Sequence, residues 1–446
     1  MRRSQMAEIF NRFNDMWSYA RAESLKKAVE VESEEEDGSN SDSSDSESSG
    51  KEDTVGVFPP HAPPSPMSIL DPAMQSFNDA TQPSAFPFRT VDPASLFEGS
   101  VAIRGRKNLG SSDSELLPES IGAPQSGQFL TGLVANDPTC SLENYAKAAN
   151  LALNGPEGLL MKHGAVLLRG IPMGDAKEFQ RFCELLGWPA LVLGGGGTER
   201  SNLTTSVRTA SNEPGTHTIE PHLDMAHNPE YPNRIAFFML HGPPAGAGGE
   251  TVLTDMRGVT RDLASDASGV AAEFEARGGV AYHKKLWSQE HVDHSFTWQS
   301  RYFTDDKAEA EKKIRELGPS VTRVGWETTK TADTLVYENV EPAVHTHPVT
   351  GERLWFNGVH TNHRSYYELA PHIDTSDGAP MDTSYADGAP IADETIAAVR
   401  GAWWRNSVAM TLQTGDLVIV DNLLAGHGRM PWAPGATRKM TLVHFA

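Results

Sequence analysis

The feature that most constrains this chain is a series of short apolar segments separated by turns rich in glycine and proline. Several of these segments have the length and composition of buried strands, namely residues 165–168, 235–240, 354–356, 408–412 and 417–420. Many short strands broken by such turns are typical of a β-barrel or a jelly roll. Because helical patterns also occur, the sequence predicts an α+β fold in which helices flank a barrel or jelly-roll core.

Two segments carry the N-terminal signals of helices. Ser141 precedes apolar residues at helical spacing, which predicts a helix that begins after it. Asp175 is followed three residues later by Glu178, which is the spacing of a capping box. Both patterns predict helices on either side of the strand at 165–168.

Two other patterns are expected to lie in loops. The glycine run at 194–197 lacks the lysine of a phosphate-binding loop, so we interpret it as a flexible turn. The related sequences DTSDGAP (374–380) and DTSYADGAP (382–390) are rich in turn-forming residues and predict a surface loop.

The first 90 residues differ in composition from the rest of the chain. Residues 31–53 carry ten acidic side chains against Lys51, a large part of the formal net charge of −21. Such a segment buries too little apolar surface to offset the entropy of ordering, and the proline-rich residues 59–66 predict an extended linker. We therefore predict a largely disordered acidic tail over residues 1–90 and a globular domain over residues 91–446.

The beginning of that tail has one apolar pattern. Residues 1–30 carry apolar side chains at helical spacing, which predicts a short amphipathic helix. Two interpretations stay open: the helix packs on the globular domain, or it docks on a protein partner or a membrane surface.

Charge and cysteine content exclude several classes of protein. The acidic balance gives no basic face for nucleic acid. No apolar run approaches the roughly 20 residues that cross a bilayer, and the first residues lack the apolar stretch of a signal peptide. Cys140 and Cys183 cannot form a disulfide framework, so a reducing compartment is indicated and we expect a cytoplasmic protein.

The residues most typical of metal chemistry are His222, Asp224 and His427. Residues i and i+2 of an extended strand face the same side, so His222 and Asp224 can point at a single metal ion. His427 follows an apolar strand far downstream. Two imidazoles and one carboxylate form the facial triad of non-haem Fe(II) oxygenases, which leaves positions open for 2-oxoglutarate and O2. The triad has a rival pair at the same spacing in His345 and His347.

Two further residues are spaced to bind the co-substrate. Arg438 follows His427 by eleven residues, with a Pro-Gly turn between them. A strand returning beside the metal would aim this guanidinium at the far carboxylate of 2-oxoglutarate, and arginine suits that contact because it binds carboxylates in a bidentate fork. The hydroxyl of Thr251 is a second candidate anchor.

Ordered motifs from about residue 140 to the C-terminus carry a family resemblance. They are HGAVLLRGIP (163–172), RTASNEPGTHTIEPHLDMAHNPEYP (208–232), PPAGAGGETVLTDMR (243–257), TWQSRYFTDDKAEAEKKI (297–314), HPVTGERLWFN (347–357), DGAPIADETIAAVRGAWW (387–404) and GDLVIVDNLLAGHGRMPWAPGATRK (415–439). With these motifs the chain resembles the taurine dioxygenase superfamily (TauD/TfdA-like), and within it the clavaminate-synthase-like and amino-acid-hydroxylating members. Residues 1–90 match nothing in that family.

The resemblance implies a double-stranded β-helix (jelly roll) with flanking helices. It implies an Fe(II)- and 2-oxoglutarate-dependent dioxygenase that uses O2 to hydroxylate a C–H bond of a small molecule. The metal ligands carry over onto His222, Asp224 and His427, and the co-substrate contacts onto Thr251 and Arg438. Many close relatives have Glu in place of the Asp, although both carboxylates occur in the wider superfamily.

The substrate contacts are the least constrained part of this hypothesis. The resemblance places Arg208 and Asn357 near the pocket, with Trp298 as part of its wall. If Arg208 recognises a carboxylate, the substrate is an amino acid or another small acid. The alternative interpretations are a structural ion pair for Arg208 and core packing for Trp298.

Two other functional classes are compatible with the same fold. The first is a non-catalytic binding or scaffold protein that works through its tail, although the intact ligand set argues against it. The second is a zinc hydrolase that uses the same three ligands, but it gives no role to Arg438. Desaturation and ring closure stay open beside hydroxylation, and the oligomeric state is not predicted.

Overall fold

The structure is a computed structural model, and it describes residues 86–446 except 128, 192–199, 266–268, 291–295, 329–332, 371–372 and 374. The predicted N-terminal helix, the acidic segment and the glycine run at 194–197 lie outside the described residues. Within the described part, no helix is long and apolar enough to cross a membrane.

Short strands dominate the described chain, as the apolar segments predict. In chain order they are β1 (Phe88–Val91), β2 (Ser100–Ala102), β3 (Ser120–Gly122), β4 (Thr131–Ala135), β5 (Ala165–Arg169), β6 (Arg208–Thr209), β7 (Ile219–His222), β8 (Arg234–His241), β9 (Thr251–Asp255), β10 (Val280–Leu286), β11 (Val321–Thr328), β12 (Asp333–Glu341), β13 (Val344–Thr346), β14 (Arg353–Trp355), β15 (Met381–Tyr385), β16 (Ser407–Met410), β17 (Leu417–Asp421), β18 (Ala425–Arg429) and β19 (Lys439–Phe445). The five predicted strands are β5, β8, β14, β16 and β17.

Helices lie between these strands, and a short 3-10 helix spans Pro93–Ser95. The α-helices are α1 (Leu142–Leu153), α2 (Leu159–His163), α3 (Ala176–Leu185), α4 (Met256–Ser265), α5 (Val270–Ala276), α6 (Trp298–Tyr302), α7 (Lys307–Glu316), α8 (Val359–Asn362), α9 (Arg364–Tyr367) and α10 (Asp393–Arg405). The chain therefore has the mixed helix and strand content that the sequence predicts.

Both predicted helix caps are present. The hydroxyl of Ser141 accepts the backbone N–H of Asn144 at the start of α1. The carboxylate of Asp175 accepts two N–H groups of α3, those of Lys177 and Glu178, at 2.8 Å. Each contact satisfies donors that the first helical turn leaves without a partner.

Two sheets face each other and enclose the core that supports the site. The larger has seven strands in the order β1-β4-β5-β17-β8-β19-β6, and the smaller has four in the order β16-β9-β18-β7. Leu167 and Phe237 of the larger sheet share a hydrophobic cluster with Leu253 and Met410 of the smaller one. Inward side chains from both sheets thus form a single layer, as in a β-sandwich.

The opposite face of the larger sheet is covered by helices. Phe238 points away from the inner cluster and packs instead with Phe179 and Phe182 of α3, because successive strand residues point to opposite faces. Tyr145 of α1 belongs to the same outer cluster. Helices therefore lie on one side of the larger sheet and the smaller sheet on the other.

One loop prediction is wrong. Part of the second repeat copy forms β15, an edge strand of a further sheet in the order β11-β12-β10-β15. Met381, Thr383 and Tyr385 are buried in it, and β15 pairs with β10 from Val280 to Lys284. The turn-forming residues around this short strand concealed its buried positions in the sequence.

A buried ion pair joins α10 to β7, the strand that ends at His222. The Nε of Arg400 lies 3.1 Å from Glu220, and neither side chain is more than 1% exposed. The same guanidinium donates to the carbonyl of His360 and the hydroxyl of Ser365. Removing one partner of such a pair leaves an uncompensated buried charge.

Replacing Arg400 by methionine is therefore expected to lower the free energy of unfolding by about 3–5 kcal/mol. Urea denaturation measures this change. Arg405→Met is the matched control on α10, because the ion pair of Arg405 with Asp262 is partly exposed and its loss is worth under about 1 kcal/mol. Equal losses in the two variants would contradict the structural role of the buried pair.

Candidate metal centre

Neighbouring strands of the smaller sheet bring two of the predicted metal ligands together. His222 ends β7 and His427 lies in the middle of β18, and the two residues are register partners across the antiparallel pair. Their ring centroids are 4.5 Å apart. The sequence separates these residues widely, so it is the strand pairing that makes them neighbours.

Asp224 reaches the same point by a route that differs from the predicted one. The strand ends at His222, and Asp224 lies in the turn that follows, where Met225 has a φ of 60°. Asn422 replaces a strand partner: its amide accepts the backbone N–H of Asp224 at 3.1 Å and donates to the backbone carbonyl at 3.0 Å. The expectation of a continuous strand was wrong, because this side chain takes the backbone groups that a ladder would use.

The three side chains fit a metal ion. Ligand atoms of His222, Asp224 and His427 all lie within 4.8 Å of one another. The Nδ1 of His222 lies 2.9 Å from the carbonyl of Glu220, so Nδ1 carries the proton and Nε2 is left to bind a metal. The Nε2 atoms of His222 and His427 lie 3.4 and 3.7 Å from the same oxygen, Oδ1 of Asp224.

The charge states of these groups also suit metal binding. Burial opposes ionisation of Asp224, but Arg200 and hydrogen bonds from neighbouring histidines hold its pKa well below the usual range. Burial, together with repulsion from His222, lowers the pKa of His427 to about 4 although Asp224 opposes this. At neutral pH the centre therefore offers one carboxylate and a neutral His427 imidazole, which are the forms that bind metals.

His444 is a residue that the sequence did not single out. It is buried on β19, and its Nε2 lies 2.8 Å from Oδ2 of Asp224. This contact fixes the carboxylate with Oδ1 turned toward the two histidines of the triad. His444 thus holds the carboxylate of Asp224 in place and is not itself one of the three residues that could hold a metal ion.

Replacing His444 by phenylalanine is expected to weaken Mn(II) binding about 10–100-fold, because outer partners that orient a ligand carboxylate have effects of this size. Isothermal titration calorimetry measures the affinity. Circular dichroism and a melting curve control for folding. An unchanged Mn(II) affinity in a folded variant would show that Asp224 needs no help from His444.

The predicted co-substrate residues contact each other beside the triad. Thr251 begins β9, and the pairing of β9 with β18 sets Leu253 opposite His427 and Thr251 opposite Arg429. Thr251 therefore shares the sheet face of His427 and lies about 7 Å along the strands from it. Nη2 of Arg438 donates to the Thr251 hydroxyl at 2.9 Å.

Arg438 is held in place but keeps its charge for a ligand. Its Nε donates to the carbonyl of Gly249 at 2.8 Å. Burial, with repulsion from Arg429, lowers its pKa to about 9, so it stays protonated at neutral pH. Among the described residues no carboxylate is paired with Arg438, which leaves its charge available for an anionic ligand.

The predicted substrate residues have different surroundings. Arg208 lies on β6 beside β19 and is close enough to Arg200 for their charges to interact. Asn357 is fully buried, and its amide binds the carbonyl of Ala343 and the N–H of Val359. Because its amide bonds to the backbone and no part of it is exposed, a substrate contact is not supported for Asn357.

Trp298 is also a packing residue. It is 4% exposed, stacks edge-on against Trp326 at 5.3 Å, and belongs to a satellite cluster with Ile314 and Leu335. This cluster lies between α6, α7 and the sheet that contains β12. These contacts favour the core-packing alternative, and a role of Trp298 in the pocket wall stays a prediction.

The rival pair of histidines has a structural environment. His347 is buried, and its Nδ1 accepts the N–H groups of Val349 and Thr350. Its Nε2 lies 3.3 Å from Asp421. His345 packs its ring on Phe356. Within the described residues, the one His/Cys/Asp/Glu group arranged to hold a metal is the His222–Asp224–His427 triad.

The fold and the centre define a class of protein: two facing sheets carry two histidines and one carboxylate that could hold a metal ion, beside a buried arginine. Comparison with known families agrees. Residues 144–444 match the model of the family described as "Taurine catabolism dioxygenase TauD, TfdA family". The chain belongs to this family and is a non-haem iron dioxygenase that depends on Fe(II), 2-oxoglutarate and O2.

Individual relatives are more distant. The dapdiamide synthesis protein DdaC of Enterobacter agglomerans is 26% identical over 64% of this chain and 83% of its own length. A clavaminate synthase-like protein of Arabidopsis thaliana is 24% identical over 67% of this chain and 86% of its own length. Among solved structures, PvcB of Pseudomonas aeruginosa aligns with a TM-score of 0.40 at 16% identity, covering 76% of this chain and 94% of PvcB.

Proposed function

We propose that this dioxygenase hydroxylates a C–H bond of a small molecule that carries an acidic group, such as an amino acid. In this proposal His222, Asp224 and His427 hold Fe(II), while Arg438 and Thr251 bind 2-oxoglutarate. The observation that carries it is the convergence of the three ligand atoms within 4.8 Å on the sheet face that also presents the Arg438–Thr251 pair.

The residues of the chain have distinct tasks in this reaction. When bound, iron supplies the activation of O2, which is coupled to oxidative decarboxylation of 2-oxoglutarate to succinate and CO2 and allows an unactivated C–H bond to be oxidised. Arg438 pairs with the far carboxylate of 2-oxoglutarate and fixes its direction. Thr251 adds a hydroxyl to the same carboxylate. Phe237 packs on His427 with ring centroids 4.7 Å apart, which keeps water from the inner side of the site.

The side chains around the centre favour an acidic substrate. Arg200 contacts Asp224. Burial lowers the pKa of His444, and the positive charges of Arg200 and Arg208 add to this effect. A bound metal ion adds further positive charge, which a carboxylate of the substrate would neutralise. Trp298 and Asn357 have no part in this proposal, because both are buried in packing contacts.

The same proposal extends to the organisation of the chain. The two facing sheets support a double-stranded β-helix for the catalytic domain. We assign the chain from β1 onward to this domain rather than from residue 91, because β1 (Phe88–Val91) pairs with β4 in the larger sheet. We assign the acidic residues before β1 to a tail, for which packing on the domain and docking on a protein partner are both open. Cys140 and Cys183 are both free thiols, which supports a cytoplasmic location.

The reaction is tested by supplying the Fe(II)-loaded protein with 2-oxoglutarate, air and a panel of amino acids and other small carboxylic acids. Succinate and products heavier by one oxygen atom are measured by mass spectrometry. The expected result is succinate formation that one class of acid stimulates and that requires both 2-oxoglutarate and O2. Product that forms without either of them would contradict the proposal.

A further inference from the structure

Arg200 lies at the candidate metal centre. It is neither one of the proposed iron ligands nor one of the residues proposed to bind 2-oxoglutarate. Its Nη2 donates to both carboxylate oxygens of Asp224, at 3.1 and 3.0 Å. Its Nη1 is buried and has no hydrogen-bond partner among the described residues. The side chain is only 12% exposed. A buried guanidinium with an unused donor is unfavourable unless a ligand completes its hydrogen bonds.

The contact between Arg200 and Asp224 competes with metal binding. Both triad histidines face Oδ1 of Asp224, and His444 already occupies Oδ2. Oδ1 is therefore the oxygen that a metal ion and Arg200 would share. Because a divalent cation on this carboxylate repels a guanidinium, Arg200 must give up at least part of its contact when the metal binds.

The surroundings of Arg200 offer little compensation for that loss. Glu213 is a candidate partner for Arg200, because one of its oxygens is buried without a partner among the described residues. Burial raises the pKa of Glu213, and Arg200 opposes this rise less than Arg429 and His222 do. Arg208 adds positive charge close by. Once the metal holds Asp224, the environment of Arg200 therefore favours an added anion.

We propose that Arg200 anchors a carboxylate of the substrate, and that the same guanidinium neutralises Asp224 while the metal is absent. This inference rests on the function proposed above and specifies a group that the substrate must carry. A planar guanidinium suits a carboxylate because the two can form parallel hydrogen bonds. Metal binding releases Arg200 for the substrate, so metal and carboxylate bind with positive cooperativity.

The first test measures Mn(II) affinity by calorimetry without any other ligand. Arg200→Met is expected to bind Mn(II) about tenfold more tightly than the wild type, because a competing cation is gone. Arg200→Lys keeps the charge and is expected to stay close to the wild type. Arg323→Met removes an exposed arginine of β11 and serves as the matched control. An unchanged or weaker Mn(II) affinity in folded Arg200→Met would show that Arg200 does not compete with the metal for Asp224.

The second test uses acetate as the carboxylate probe. Mn(II) affinity is measured with saturating 2-oxoglutarate, which fills the Arg438 site, while acetate replaces chloride at constant ionic strength. Acetate is expected to tighten Mn(II) binding about threefold or more in the wild type and to have no such effect in Arg200→Met. If acetate changes Mn(II) affinity equally in both proteins, or has no effect in the wild type, Arg200 does not anchor a carboxylate.

A third measurement separates the failure of this inference from the failure of the proposed function. Both proteins are mixed with Fe(II) and 2-oxoglutarate without O2, and the visible charge-transfer band is recorded. If both show the band but acetate acts equally on both, only the role of Arg200 fails. If neither shows it, the proposed iron and co-substrate site fails, and the inference fails with it.

Discussion

Replacing His222 by alanine is expected to weaken Fe(II) and Mn(II) binding by more than about 100-fold, because a direct ligand contributes more than the outer residues for which 10–100-fold effects are typical. His222 is the best ligand to remove, since its side chain is 25% exposed and its loss leaves no large cavity. Asp224 keeps its contacts with Arg200 and His444. Calorimetric titration with Mn(II) measures the change, and 2-oxoglutarate turnover should fall with it.

The control for this variant is His241→Ala, which removes an exposed histidine at the end of β8. It is expected to bind metal and turn over like the wild type. If His222→Ala binds Mn(II) as well as the control does, the metal site lies elsewhere and the assignment of the triad is wrong.

Replacing Arg438 by leucine is expected to weaken 2-oxoglutarate binding by about 2–5 kcal/mol, the range seen when one partner of a buried charge pair is removed. That corresponds to an increase in Kd of roughly 30-fold to several thousandfold. Mn(II) affinity is expected to stay unchanged, because Arg438 contacts Thr251 and Gly249 rather than the triad. Calorimetry with 2-oxoglutarate on the Mn(II)-loaded protein measures the effect.

Two companion variants define the role of Arg438 more closely. Arg438→Lys keeps the positive charge but loses the bidentate geometry of the guanidinium. Its affinity for 2-oxoglutarate should therefore lie between those of the wild type and the leucine variant. Thr251→Val removes one hydroxyl that binds the co-substrate carboxylate and is expected to weaken 2-oxoglutarate binding by about 1.5–3 kcal/mol. Unchanged 2-oxoglutarate affinity in Arg438→Leu would show that the co-substrate carboxylate binds another group.

Much of the fold and of the candidate metal centre could be predicted, because the sequence patterns that indicate them are local. Apolar runs identify β5, β8 and β17, since a buried strand needs a short uninterrupted apolar segment. The His-x-Asp spacing and the later histidine indicate the triad because few chemistries need that combination. Arg438 was found by its distance from His427 and the turn between them.

The residues that support the centre could not be found in this way. Arg200 is 24 residues from Asp224 in the sequence and His444 is 220 residues away, so tertiary packing alone brings them together. The side chain of Asn422 replaces a strand partner of Asp224, and the periodicity of the sequence does not indicate such a contact. Conversely, Trp298 and Asn357 have residue types common in binding sites, yet burial gives both a packing role.

The most direct test of the iron and co-substrate site needs no substrate. Fe(II) and then 2-oxoglutarate are added to the purified protein without O2, and the visible spectrum is recorded. We expect a metal-to-ligand charge-transfer band that appears only with both additions and is lost in His222→Ala. Fe(II) binding without such a band would show that the proposed iron and co-substrate site is wrong, and would favour a zinc hydrolase or a non-catalytic scaffold on the same fold.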